Sequence, residues 1–277
     1  SELISLLIET RAPKRTLILG PTYSEYSREL SFSGSTQDYY HLQEAEDFEL
    51  DVEDLCRTLL NGYDFLILCN PNNPTSSAIL KDEMRALLSF CANRDIFVMI
   101  DETYVEFAPS VQEVTAVPYT KEFSNLMVLR GVSKFYAAPG MRFGYGITGN
   151  KEFLSQMKEK QIPWSLNSLG AYAGEQMFKD TSYIRQTRSL ILTERDRMFL
   201  ELKKMSSFKV YFPYGNFILV KILKPEVTSF DVFEACIKEG LMIRDCSSFQ
   251  CLDGEFVRFC IMKPEDNDRL LKVLKTI

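Results

Sequence analysis

At 277 residues, 45% of them hydrophobic and 25% charged, the chain has apolar material for a large core and about two domains. Its formal net charge of -6 argues against non-specific nucleic-acid binding, and no apolar run nears the roughly 20 residues that cross a bilayer. A single histidine, His41, argues against His-rich metal sites and a Ser-His-Asp hydrolase; seven scattered cysteines without a CxxC pair point to reduced thiols in a cytoplasmic protein.

The chain starts at Ser1 inside a helical pattern, Glu2-Leu3-Ile4-Ser5-Leu6-Leu7-Ile8-Glu9, which suggests that an N-terminal portion precedes it. Thr16-Leu17-Ile18-Leu19 reads as a strand, followed by Gly20-Pro21-Thr22-Tyr23 and a helix from Tyr23 onward. His41, in Asp38-Tyr39-Tyr40-His41-Leu42, sits on a strand edge and reads as structural. Asp51 to Leu60 is helical. Phe65-Leu66-Ile67-Leu68-Cys69 is a short apolar run that ends in the turn Asn70-Pro71-Asn72-Asn73-Pro74-Thr75. Leu80 to Asn93 carries Met84, Leu87, Leu88 and Cys91 at helical spacing. Ile96-Phe97-Val98-Met99-Ile100 then runs into Asp101-Glu102-Thr103-Tyr104, and Leu126-Met127-Val128-Leu129 runs into Arg130-Gly131-Val132-Ser133-Lys134. Phe143 to Thr148 adds a strand.

This alternation predicts an α/β large domain over residues 1–175, with a mostly parallel sheet flanked by helices. Residues 176–277 are expected to form a linking helix and a smaller α+β C-terminal domain. The text from about Asn167 to Met205 is helical and charged. Strands are expected at Phe208 to Phe212, Phe217 to Ile222, Leu241-Met242-Ile243 and Phe256 to Phe259, with helices at Phe230 to Lys238 and Glu265 to Lys275. There are no internal repeats, and neither a GxGxxG nor a P-loop marks a nucleotide site.

Ligands collect at the carboxyl ends of strands in an open parallel sheet, so Asn73, Asp101, Tyr104 and Lys134 should share one crevice. Lys134, read as a desolvated amine near Arg142, becomes an imine-forming nucleophile; the bland reading is a surface charge. Ser133, Arg142 and the backbone amides of Ser1 and Glu2 at a helix start suit an anion. Asp101 is either a helix cap or a buried carboxylate beneath a heterocycle, and Tyr104 either packs or donates a hydrogen bond. Tyr23 stacks on a ring or fills core. Arg258, inside Phe256-Val257-Arg258-Phe259, needs an anionic partner: a substrate carboxylate or phosphate, or a structural ion pair. Arg244, before Asp245, is a candidate of the same kind.

The ordered set Asn73-Pro74-Thr75, Asp101-Glu102-Thr103-Tyr104, Ser133-Lys134, Arg142 and Arg258 resembles the fold-type-I pyridoxal-phosphate family of class I/II aminotransferases, over nearly the whole chain. Within it the text is similar to the branch of histidinol-phosphate aminotransferase and threonine-phosphate decarboxylase. Lys134-Phe135-Tyr136-Ala137-Ala138-Pro139-Gly140, Pro163-Trp164-Ser165-Leu166-Asn167 and Ile243-Arg244-Asp245-Cys246 look most like the decarboxylase side.

The resemblance implies pyridoxal 5'-phosphate as cofactor, a Schiff-base role for Lys134, ring-nitrogen pairing for Asp101 and phenolate contacts for Asn73 and Tyr104. It also implies stacking by Tyr23, phosphate contacts from Ser133 and Arg142, an anion role for Arg258 and a substrate-side place for Asn216. A homodimer acting on a small amino substrate and a 2-oxo acid follows from the same resemblance, with no nucleic acid, membrane or metal. Ser76 stands where the family has glycine, which is expected to alter a turn rather than the chemistry. A regulatory domain that binds the cofactor without catalysis is the rival of another class.

Overall fold

The computed structural model describes residues 1–277. Helix α1 (Glu2–Arg11) leads to strand β1 (Arg15–Gly20), helix α2 (Glu25–Ser33) and strand β2 (Thr36–His41). Helix α3 (Val52–Leu59), strand β3 (Phe65–Cys69), helix α4 (Lys81–Ala92) and strand β4 (Phe97–Asp101) follow, then the short helix α5 (Val111–Val114), strand β5 (Leu126–Gly131) and strand β6 (Gly144–Ile147).

These strands form one sheet in the order β2-β1-β3-β4-β5-β6, parallel except for β6, which runs antiparallel to β5. Strands β3 and β4 are buried along their whole length because the sheet is covered on both faces. Side chains alternate between those faces. Leu66, Leu68, Val98 and Ile100 pack against Leu55 of α3 and Met84 and Leu88 of α4. Phe65, Ile67, Phe97 and Met99 pack against Leu7 of α1, Tyr26 of α2 and Phe153 on the other face.

Helices α6 (Lys151–Lys160), α7 (Ser168–Lys179) and α8 (Thr181–Leu202) come next. The stretch read as one helical segment is two helices, because Asp180 ends α7 and its side chain accepts from Tyr183 N at 2.9 Å to start α8. Strand β7 (Phe208–Val210), strand β8 (Phe217–Ile222), helix α9 (Ser229–Lys238), strand β9 (Arg244–Asp245), strand β10 (Phe256–Cys260) and helix α10 (Pro264–Leu274) complete the chain. They form an antiparallel sheet in the order β7-β8-β10-β9.

Residues 241–243, expected as a strand, lie outside the sheet; pairing begins only at Arg244 and Asp245, opposite Arg258 and Val257. Leu241 and Ile243 are nonetheless buried, so their hydrophobicity reflects core packing under an irregular backbone. No helix is long and apolar enough to cross a membrane.

Candidate active site

Four of the expected residues sit just past the carboxyl ends of β1, β3, β4 and β5, and the turn after β3 ties them together. Asn70 pins that turn: its Nδ2 donates to Ile79 O and Val114 O (both 3.0 Å) and its Oδ1 accepts from Ile79 N (2.8 Å). Asn72 Nδ2 donates to Pro21 O (2.8 Å) and its Oδ1 accepts from Thr22 Oγ1 (3.0 Å), which anchors the loop carrying Tyr23. Asn73 is buried, and its Oδ1 accepts from Arg258 Nη1.

Asp101 ends β4 and is 8% exposed. Its Oδ1 accepts from Thr103 N (2.9 Å) and Thr103 Oγ1 (2.5 Å), and its Oδ2 accepts from the Tyr26 hydroxyl (2.8 Å). Burial, reinforced by the Asp101 charge, pushes the Tyr26 hydroxyl well above its usual range, so it remains a donor. Tyr26 was not legible as a functional residue: it reads as an apolar-face position of α2. Its one signal is a place three residues after Tyr23, whose ring meets it edge-on at 5.6 Å.

Tyr104 is buried against Phe217, ring centroids 4.9 Å apart, and burial raises its hydroxyl pKa while Arg258 opposes that rise. Lys134 Nζ lies 5.9 Å from the Tyr104 ring centroid. The amine expected to be desolvated is instead exposed, because Lys134 rides a turn beyond the end of β5 rather than the strand itself. Tyr23 is 38% exposed and is not a core aromatic.

A cavity of about 590 Å³ gathers Tyr23, Asn73, Asp101, Tyr104 and Lys134. Ser1, Ser133 and Arg142 also line it, as do Arg244 and Arg258. An adjoining cavity of about 220 Å³ shares Ser1, Ser133 and Arg142 with it and adds Glu2. Arg142 is exposed, with φ at +50°, and its Nη1 donates to Pro139 O (2.9 Å).

Arg258 has no carboxylate partner: its Nη1 reaches Asn73, its guanidinium lies 4.9 Å from the Phe217 centroid, and its buried Nε is unpaired. That removes the structural ion pair as an explanation for this arginine. Arg244 is exposed and donates to Ser248 Oγ (2.8 Å). Asn216 does not line the cavity. It is held at the head of β8 by Ile261 N, which donates to its backbone oxygen (2.7 Å), and its side-chain Oδ1 is buried without a partner.

The donor set suits the cofactor implied by the sequence. An amine, a buried carboxylate, an amide and a phenol surround the cavity, and a hydroxyl, a guanidinium and the start of α1 can take a phosphate. Partnerless Arg258 Nε leaves a second anion position.

The family profile described as aminotransferase class I and II matches residues 1–274. Threonine-phosphate decarboxylase of Salmonella typhimurium is 30% identical over 96% of this chain and 71% of its own length. Histidinol-phosphate aminotransferase of Methanococcus aeolicus is 30% identical over 93% of this chain and 67% of its own. The crystal structure of histidinol-phosphate aminotransferase from Clostridium acetobutylicum superposes with a TM-score of 0.92 at 33% identity, covering 99% of this chain and 80% of that one.

Proposed function

This chain belongs to the class I and II aminotransferase family and is a pyridoxal-phosphate-dependent enzyme, and from that premise we propose that it transfers an amino group from a small compound bearing phosphate or carboxylate, like histidinol-phosphate aminotransferase, to a 2-oxo acid. The observation that carries this reading is one cavity holding a single lysine, a buried carboxylate and three arginines without carboxylate partners. In this reading residues 1–175 form the cofactor-binding lobe and residues 176–277 the linking helix and small lobe.

Lys134 would hold the cofactor through its Nζ, with Ser133, Arg142 and the amides of Ser1 and Glu2 around its phosphate. When bound, the cofactor supplies an aldehyde for the substrate amine and a protonated ring that takes up the electron pair released at the substrate's α-carbon. Asp101, fixed by Tyr26 and Thr103, would present its negative charge to the ring nitrogen. Asn73 and Tyr104 would contact the ring's phenolate oxygen, and Tyr23 would cover its face. Lys134, the one lysine lining the cavity, would then carry the proton from the substrate's α-carbon to the former aldehyde carbon of the cofactor. Arg258 would grip the substrate's anion through the guanidinium edge left unpaired, with Arg244 lining the same cavity and Asn216, at the head of β8, assigned to the substrate side.

Decarboxylation needs the same residues, and the similarity to the Salmonella threonine-phosphate decarboxylase supports it as a second reading. What separates the two would be which of the substrate's anionic groups Arg258 holds. With no carboxylate left free on the α-carbon, that carbon would give up its proton; with a phosphate held by Arg258 and a carboxylate left free, that carboxylate would leave as carbon dioxide. The holoenzyme should be incubated with histidinol phosphate plus 2-oxoglutarate, and separately with threonine phosphate alone. Glutamate formation in the first carries transamination; carbon dioxide from the second replaces it with the lyase reading.

A cytoplasmic homodimer belongs to the same proposal. All seven cysteines are free, which supports a reducing compartment. Ile162, Trp164, Leu169 and Tyr172 are more than two-thirds exposed, Trp164 at 99%, and the neighbouring Ser165 and Leu166 line the phosphate end of the site. Such an apolar strip beside the crevice supports a partner subunit that packs there.

A further inference from the structure

Ser76 is fully buried at φ +61°, a conformation that suits glycine and that serine adopts only at a cost. The structure shows what the hydroxyl does there. Gly215 N, on the small-lobe loop, donates to Ser76 Oγ (2.8 Å), and Tyr214 N donates to Ser76 O (2.8 Å). The fit is close: a Cβ added at Gly215 would lie 3.1 Å from Ser76 Oγ. From behind, the buried Arg195 of α8 holds the same loop by donating to Tyr214 O (3.2 Å) and Gly215 O (3.4 Å). The loop runs directly into Asn216 and Phe217. Phe217 packs on Tyr104, and Arg258 lies over the Phe217 ring while reaching Asn73, three residues before Ser76. Ser76, Gly215, Phe217, Arg258 and Asn73 thus close a circuit between the lobes.

We propose that Ser76 is a positioning residue: its hydroxyl latches the 214–216 loop onto the turn after β3 and so sets how Arg258 meets the substrate's anion. The inference rests on the reading of Arg258 given above. Without the hydroxyl, Gly215 N loses its acceptor, the loop relaxes away from the turn, and the Phe217–Arg258 stack shifts with it. Asp101, at the end of β4, and Lys134, on the turn beyond β5, keep their places, so anion affinity falls while turnover does not.

The test compares Ser76→Gly, which removes the hydroxyl and relieves the backbone, with Ser76→Ala, which removes the hydroxyl and keeps the positive φ. Each is measured as holoenzyme by calorimetric binding of inorganic phosphate and by KM and kcat with the phosphorylated substrate that turns over. Arg258→Gln serves as reference. Both Ser76 variants should weaken phosphate binding and raise KM by about fivefold, with kcat within about twofold of native. A serine that only shapes its turn predicts instead a less stable Ser76→Ala, an unharmed Ser76→Gly and native affinities in both, and that result overturns the latch. Lost phosphate binding in Arg258→Gln beside native Ser76 variants overturns the latch alone. Native phosphate binding in Arg258→Gln overturns the anion reading, and the latch falls with it.

Discussion

Replacing Tyr26 by phenylalanine removes one buried oxygen and nothing else. The Asp101 carboxylate has donors on both oxygens, but they are unevenly shared: Thr103 supplies two to Oδ1, and Tyr26 is alone on Oδ2. Tyr26 itself is fully buried within the apolar cluster on that face of the sheet. A hydrogen bond to a charged group contributes about 1.5–3 kcal/mol. Taking about 2 kcal/mol, the loss corresponds to roughly 30-fold in a rate that depends on that carboxylate. The Tyr26→Phe enzyme, saturated with pyridoxal phosphate, should therefore show kcat/KM lowered by roughly 30-fold, with its urea midpoint moved down. Steady-state kinetics and urea unfolding read both quantities on one preparation. Native kcat/KM together with a native midpoint would refute the claim that Tyr26 holds Asp101 in place.

Three further outcomes are expected. Lys134→Ala should abolish the visible absorbance of the lysine-bound cofactor and its reduction by borohydride onto the protein, which spectroscopy and mass measurement check. Trp164→Asp should dissociate the proposed dimer: burying about 200 Å² of indole contributes about 5 kcal/mol, so sedimentation should show a dissociation constant raised by at least about a hundredfold. Glu106, about 3.9 Å from Arg130 and largely buried, has its carboxyl pKa pushed up by that burial from 4.5 to about 7. Between those values the folded protein holds a proton on Glu106 that the unfolded chain releases, so this residue's contribution to stability is full below that window and falls as pH rises through it, by about 3 kcal/mol. Glu106→Gln should flatten that slope in thermal melts taken from pH 4.5 to 7.

Much of the crevice was readable because its residues follow strands that advertise themselves. Fully buried strands such as β3 and β4 are continuous apolar runs, and the first polar residues after them fall at one edge of the sheet by topology alone. Supporting residues carry no such mark. Tyr26 occupies a helix position whose aromatic ring satisfies the core, and its hydroxyl matters only because β4 ends beside it. Ser76 reads as a turn residue because its partner, Gly215, is far along the chain. Lys134 was expected to be desolvated because it follows a buried strand, yet that burial ends with the strand. Residues 241–243 misled for the converse reason: Leu241 and Ile243 are apolar for packing, not for pairing.

The two sheets do not own separate interiors. Leu219 and Phe256 of the smaller one, with Tyr211 just past β7, belong to the same apolar cluster as Leu66 and Val98 of the larger, while Tyr104, Phe107 and Phe135 are built into the cluster beneath its other side. Heat or denaturant should therefore melt the molecule in one cooperative step, and an excised C-terminal fragment would show sticky, water-averse faces on both sides.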